Sequence, residues 1–92
     1  MTFMNTWNVF VTKRARKQLT KLPVMIAALA DIAIKDLISH GPMPTGWDIK
    51  RMDRDEYRMR LTYRYRMRYR VMRESELEIE VFYIGHRRDA YR

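Results

Sequence analysis

Tyr57 to Val71 reads YRMRLTYRYRMRYRV, and its alternation decides the fold. Successive side chains of a β-strand point to opposite faces, so Tyr57, Met59, Leu61, Tyr63, Tyr65, Met67, Tyr69 and Val71 share one face. Arg58, Arg60, Arg64, Arg66, Arg68 and Arg70 share the other, with Thr62 the uncharged exception. The pattern predicts a sheet with one side in the core and a comb of guanidiniums turned towards a polyanion. Leu61 closes the first strand of the stretch and Thr62-Tyr63-Arg64 forms the turn. The same parity assigns Tyr63, Tyr65 and Tyr69 to the core rather than to a platform for stacking bases.

Downstream, Glu74-Ser75 makes the next turn, and Leu77 to Ile84, LEIEVFYI, forms the last strand. Keeping Leu77, Ile79, Val81 and Tyr83 on the face of Tyr65, Met67 and Tyr69 requires an odd number of loop residues, because a one-residue slip inverts a strand. Either odd register sets Glu78 and Glu80 beside two of Arg68, Arg70 and Met72. Part of the comb is then neutralised from within, which leaves Arg58, Arg60, Arg64 and Arg66 for an outside partner. Gly85 allows the backbone to turn at the strand's end.

Upstream, Trp7 to Val11 has the β-branched and aromatic content of a first strand, with Trp7, Val9 and Val11 on one face. Thr12 caps a helix beginning at Lys13, whose apolar stripe is Ala15, Leu19 and Leu22. Lys13, Arg14, Arg16, Lys17 and Lys21 cover the rest of it, as a solvated face or a nucleic-acid contact. Pro23 opens a second helix and Gly41-Pro42 ends it. Ile26, Leu29, Ala30, Ala33, Ile34, Leu37 and Ile38 make this the main core helix, and His40 suits the helix dipole in its last turn. Residues 41–46 form a loop, Trp47 and Ile49 anchor its end, and charged residues from Lys50 to Glu56 lead into the opening stretch.

A chain of 92 residues has room for a single domain, 1–92, with one core. Its net charge of +8 is concentrated in two blocks: five Lys/Arg without an acid in residues 1–22, and nine Arg against three acids in residues 51–73. Such a distribution suits nucleic acid or an acidic protein. The absence of cysteine rules out disulfides and thiolate metal sites, and two histidines give no ligand cluster, so no metal or organic cofactor is expected. No signal peptide or span long enough for a bilayer is present, which predicts a cytoplasmic protein without membrane contact.

The chain closes with GHRRDAYR, Gly85 to Arg92. His86, Arg87, Arg88 and Tyr91 can bind phosphate, stack on a base or exchange a proton. Following a buried strand and beside an arginine-rich sheet, they are candidate site residues rather than a frayed tail.

The order strand, helix, helix, three strands, with DEYRMRL, YRMRYRV and the terminal GHRRDAYR, resembles the RelE branch of the RelE/ParE toxin superfamily over nearly the whole chain. The TKRARKQLTKLP helix adds little, while the terminal motif one strand after the two Tyr-Arg strands is the more specific part. The resemblance implies an α+β domain: a twisted antiparallel sheet of about four strands with two helices packed on one face. It implies a toxin of a type II toxin–antitoxin pair that enters the ribosome and cuts mRNA in the A site by 2′-OH attack on the adjacent phosphate. A cognate antitoxin, the ribosome and mRNA are the implied partners, with a toxin–antitoxin hetero-oligomer on operator DNA as a further one. By position, the basic pair of the first central strand falls on Arg58 and Arg60, the Tyr-Arg arginine on Arg66, the arginine after the last strand on Arg87 and the terminal tyrosine on Tyr91. Arg64 and Arg88 join Arg58 and Arg60 as phosphate-binding residues.

The chemistry adds its own constraints. Arginines bidentate to the equatorial phosphate oxygens stabilise in-line attack, with Arg87 as the clamp helped by Arg66, and Tyr91 can stack on a splayed base. Where the family often has lysines, this chain has Arg58 and Arg60, which do not deprotonate in proteins. His86 is the preferred general base, followed by Glu56 or Asp55, and by Tyr91 if its pKa is lowered. Three other functions compete: a ParE-like DNA gyrase inhibitor docking through its basic surface, a nucleic-acid binder that does not cut, and a degenerate toxin that has lost activity.

Overall fold

The structure, a computed structural model, describes residues 6–89. Its elements run β1 (Asn8–Val11), α1 (Lys13–Thr20), α2 (Val24–His40), β2 (Asp48–Arg51), β3 (Glu56–Arg60), β4 (Tyr65–Arg73) and β5 (Glu78–His86), with short 3-10 turns at Glu74–Glu76 and Arg87–Asp89. They form an α+β domain whose sheet has the order β1-β5-β4-β3-β2. The expected sheet of about four strands has a fifth, because Asp48–Arg51 pairs antiparallel with β3. Only Ile49 of its four residues is apolar, and charged edge strands of this kind resist pairing with other chains. The sheet is also not wholly antiparallel, since β1 lies parallel to β5 after the chain returns through the helical hairpin.

Thr12 caps α1 as its sequence predicts, accepting the Ala15 N–H at 3.1 Å. Beyond the end of β1 the exposed edge of β5 is covered by α1, where Gln18 Oε1 accepts the Ile84 N–H at 3.0 Å. The helix α2 buries Ile26, Ala30, Ala33 and Leu37 against Met59, Met67, Tyr69, Ile79 and Val81, and Trp7, Val9, Leu29, Ile34, Trp47 and Ile49 pack around them. The helices and the apolar strand positions therefore share one face, and among the described residues no helix is long and apolar enough to cross a membrane.

Three details of the β4–β5 hairpin depart from strict alternation. A bulge between Arg68 and Tyr69 pairs Arg68 with Tyr83 and Tyr69 with Val81, which moves Tyr83 from the expected core face to the open face. A second, between Val71 and Arg73, pairs Glu78 with Arg73, while Glu80 meets Arg70 as expected. The turn runs through Glu74–Glu76, where the sequence sets it, and closes at Leu77 with φ +54, while Gly85 lies inside β5 rather than at a bend. Gly85 is small for a different reason: a Cβ there would stand 2.8 Å from the Tyr83 hydroxyl.

Tyr69 ties the loop to the sheet. It is fully buried, stacks on Tyr57 with ring centroids 5.5 Å apart, and donates its hydroxyl to the Pro42 carbonyl. Burial, with a smaller contribution from Tyr57, pushes its phenol well above the ordinary tyrosine value. The unfolded chain releases this proton near the ordinary value of about pH 10 while the folded chain keeps it, so the contribution is whole below that pH and is lost as pH rises further. Tyr69→Phe is expected to cost about 1–3 kcal/mol by leaving the Pro42 carbonyl without its donor. It should also flatten, without abolishing, the alkaline fall in stability, because burial raises the Tyr83 phenol too. Urea unfolding on either side of that pH measures both effects.

Candidate nucleic-acid interface

Cross-strand register turns the open face of the sheet into rows. One row is Lys50, Arg58, Arg68 and Tyr83, and the next is Asp48, Arg60, Arg66 and Gly85. Like charges placed directly opposite destabilise a sheet, so a row of three cations favours an anion above it. At the opposite end of the face the cations are paired with carboxylates: Arg70 lies 3.6 Å from Glu80 and Arg73 3.8 Å from Glu78. Arg70 also covers the Phe82 ring, with Cζ 4.1 Å from its centroid.

Internal neutralisation goes further than the last strand alone predicts. Glu56 holds Arg68 at 2.7 Å, and Asp48 of the unforeseen β2 lies 3.4 Å from Arg60. Arg58 has no ion pair among the described residues, and its buried Nε has no hydrogen-bond partner there. With exposed Arg64, which likewise has no ion pair among the described residues, it is the member of the comb best placed for an outside anion. Exposed pairs such as Arg60–Asp48 are worth only about 0–1 kcal/mol, so an outside anion can displace them.

Arg66 does something its sequence position does not reveal. It is 4% exposed, and its Nη1 donates to the carbonyls of Thr62 and Tyr63, both at 2.8 Å, and of Tyr65 at 3.4 Å. It thus stiffens the β3–β4 turn from beneath. The turn is fixed further by Thr62 Oγ1, which accepts the Arg64 and Tyr65 N–H groups, and by the Arg87 N–H donating to the Arg64 carbonyl at 2.7 Å. Tyr63 sits on its tip and is 64% exposed, so its assignment to the core is corrected. Alternation stops where the strand stops, and a turn residue has no inner face. The Arg87 guanidinium lies over the Tyr63 ring, Cζ 4.5 Å from the centroid. Arg64 is exposed beside it, and Arg88 is exposed in the following turn.

His86 does not join this group. The register pairs it with Tyr65, two residues after core-facing Ile84, so its ring lies on the helix side, edge-on to Tyr65 with centroids 5.5 Å apart. Its Nδ1 accepts the Arg88 N–H at 3.2 Å, which leaves the proton of the neutral ring on Nε2. Strand parity thus sets the preferred base on the side of the sheet away from Arg58 and Arg60. Of the other candidates, Glu56 is engaged by Arg68, Asp55 lies in the lead-in to β3, and Tyr91 lies outside the described residues. Tyr83 is no substitute, because burial first and Asp89 second raise its phenol. The described residues hold no group of acidic and histidine side chains that could bind a metal.

Comparison with known proteins agrees with this architecture. The family model described as the ParE toxin of the type II toxin–antitoxin system parDE matches residues 9–91. Among solved structures, the archaeal RelE–RelB complex from Pyrococcus horikoshii OT3 is similar at 26% identity and a TM-score of 0.75, covering 92% of this chain and 99% of that one. The RelB–RelE antitoxin–toxin complex from Methanococcus jannaschii matches at 21% identity and 0.73, covering 89% and 94%. The toxin–antitoxin complex RelBE2 from Mycobacterium tuberculosis matches at 24% and 0.68, covering 89% and 99%. Comparison with curated proteins finds no match.

Proposed function

This chain belongs to the ParE toxin family of type II toxin–antitoxin systems, within the RelE/ParE superfamily, and we propose that it acts there in the RelE manner, as a ribosome-dependent mRNA endoribonuclease. The observation that carries this reading is the row Lys50–Arg58–Arg68 on the sheet face away from the helices, with Arg87 at the β3–β4 turn beyond the neighbouring Arg60–Arg66 row. It sets three cations side by side on adjacent strands, a surface that attracts a strand of phosphates.

In the proposed reaction the ribose 2′-OH attacks the adjacent phosphorus, the 5′-oxygen of the next nucleotide leaves, and a 2′,3′-cyclic phosphate remains. Negative charge grows on the equatorial oxygens during attack. Arg87 and Arg58 stabilise that charge, with Arg60 joining as it leaves Asp48. Arg64 and Arg88 bind flanking phosphates, Arg66 holds the turn that positions Arg87, and Tyr91 stacks on a base. The 2′-OH proton passes to a group of the ribosome rather than to a side chain among the described residues of this face, and the departing 5′-oxygen takes one up. The protein supplies alignment and charge stabilisation, and the ribosome completes the site. A cognate antitoxin restrains the toxin by covering the same cations with carboxylates.

The match to a ParE toxin model supports a second reading, the ParE-like inhibition of DNA gyrase through the basic surface. Controlled expression in bacteria separates the two. Mapping mRNA 5′ ends minutes after induction should show cuts within translated codons, lost when translation initiation is blocked. Intact mRNA together with a DNA-damage response would instead establish the gyrase reading.

A further inference from the structure

We infer that Tyr63 is a binding residue of the interface: its ring, carried on the rigid β3–β4 turn, stacks on an unpaired nucleobase of RNA whose phosphate is held by Arg87. The inference rests on the proposed handling of single-stranded RNA and names a contact that reading does not contain. Tyrosine at a turn tip, 64% exposed, shows most of a large apolar ring to water, with the Arg87 guanidinium against it. The ring is not loose. Arg66 fixes the carbonyls of Thr62 and Tyr63 from below, and Arg87 covers the ring with its guanidinium 4.5 Å from the centroid.

That stack leaves the ring available to a base and keeps a cation beside it, which is the pairing single-stranded nucleic acid presents: a flat base linked to a phosphate. A tyrosine side chain has few torsions to freeze, and here they are largely fixed beforehand, so little order is lost on binding. Arg64, exposed on the same turn, lies where the neighbouring phosphate would run. Duplex RNA keeps its bases stacked inside and offers the ring nothing, so the contact selects single strands.

The test measures binding of the full chain to a short fluorescent single-stranded RNA made non-cleavable by 2′-O-methyl groups, and to the same RNA with one base removed at each position in turn. Tyr63→Leu should weaken binding of the intact RNA by about tenfold, Tyr63→Phe by no more than about twofold. One abasic RNA should bind wild type as weakly as the intact RNA binds Tyr63→Leu, and Tyr63→Leu should not distinguish the two. Unchanged affinity in Tyr63→Leu would overturn the inference and leave the ring free for a protein partner. An equal loss on every abasic RNA would also overturn it, by showing that Tyr63 merely positions Arg87. Because the RNA is not cut, absence of mRNA cleavage in cells would remove the nuclease reading while this result stood.

Discussion

Gly41→Ala is expected to destabilise the chain by about 2–5 kcal/mol, combining a backbone conformation nearly closed to other residues with overpacking. Gly41 follows α2 with φ +84 and ψ −160, and its N–H still donates to the Leu37 carbonyl at 2.8 Å. A Cβ added there would lie 2.7 Å from Trp7 Nε1 and 2.9 Å from its Cε2. The indole cannot easily give way, because the Trp7 backbone N–H, bonded to the Ile38 carbonyl at 2.8 Å, anchors the residue and the ring packs on the core. Gly46 provides the control. It has a similar φ of +91 but nothing within 4 Å of its would-be Cβ, so Gly46→Ala carries backbone strain alone, about 1–2 kcal/mol. Urea unfolding of both variants measures the difference. Equal losses would mean that the Trp7 contact does not restrict position 41.

Much of this arrangement was legible in the sequence because buried strands and amphipathic helices carry strong periods. The alternation of Tyr57 to Leu61 and of Tyr65 to Arg70 located β3, most of β4 and their two faces, and Thr12, Pro23 and Gly41 bounded the helices. What the sequence hid were features without a period. The strand β2 has one apolar residue and reads as a charged linker, so the ion pair between Asp48 and Arg60 was missed with it. A bulge inserts one residue without a compositional mark, and that insertion alone reversed the face of Tyr83. The face of His86 was hidden for a related reason: the motif GHRRDAYR looks like one polar tail, yet Gly85 and His86 are still strand, and pairing with Tyr65 sets the His86 ring on the helix side. A search for Tyr63 could have begun from its place in the turn, since parity arguments lose their force outside the ladder.

Arg87→Ala should reduce mRNA cutting by about 10²–10³-fold, the usual consequence of removing one group that stabilises developing transition-state charge. Stability should change by no more than about 1 kcal/mol, because the exposed guanidinium gives up only its contact with the Tyr63 ring. Arg66→Ala should behave differently. Removing its buried side chain strips a donor from the carbonyls of Thr62, Tyr63 and Tyr65 and leaves a cavity, for a loss of about 2–4 kcal/mol. Its cutting should fall as well, through a turn that no longer carries Tyr63 and Arg64 in place. The two arginines therefore separate on a plot of cleavage against unfolding free energy, where Arg87→Ala loses the first alone and Arg66→Ala loses both. An Arg66→Ala chain as stable as wild type and devoid of cutting would return Arg66 to the phosphate. Full cutting in Arg87→Ala would remove the clamp from the proposed mechanism and leave Arg58 to carry the charge.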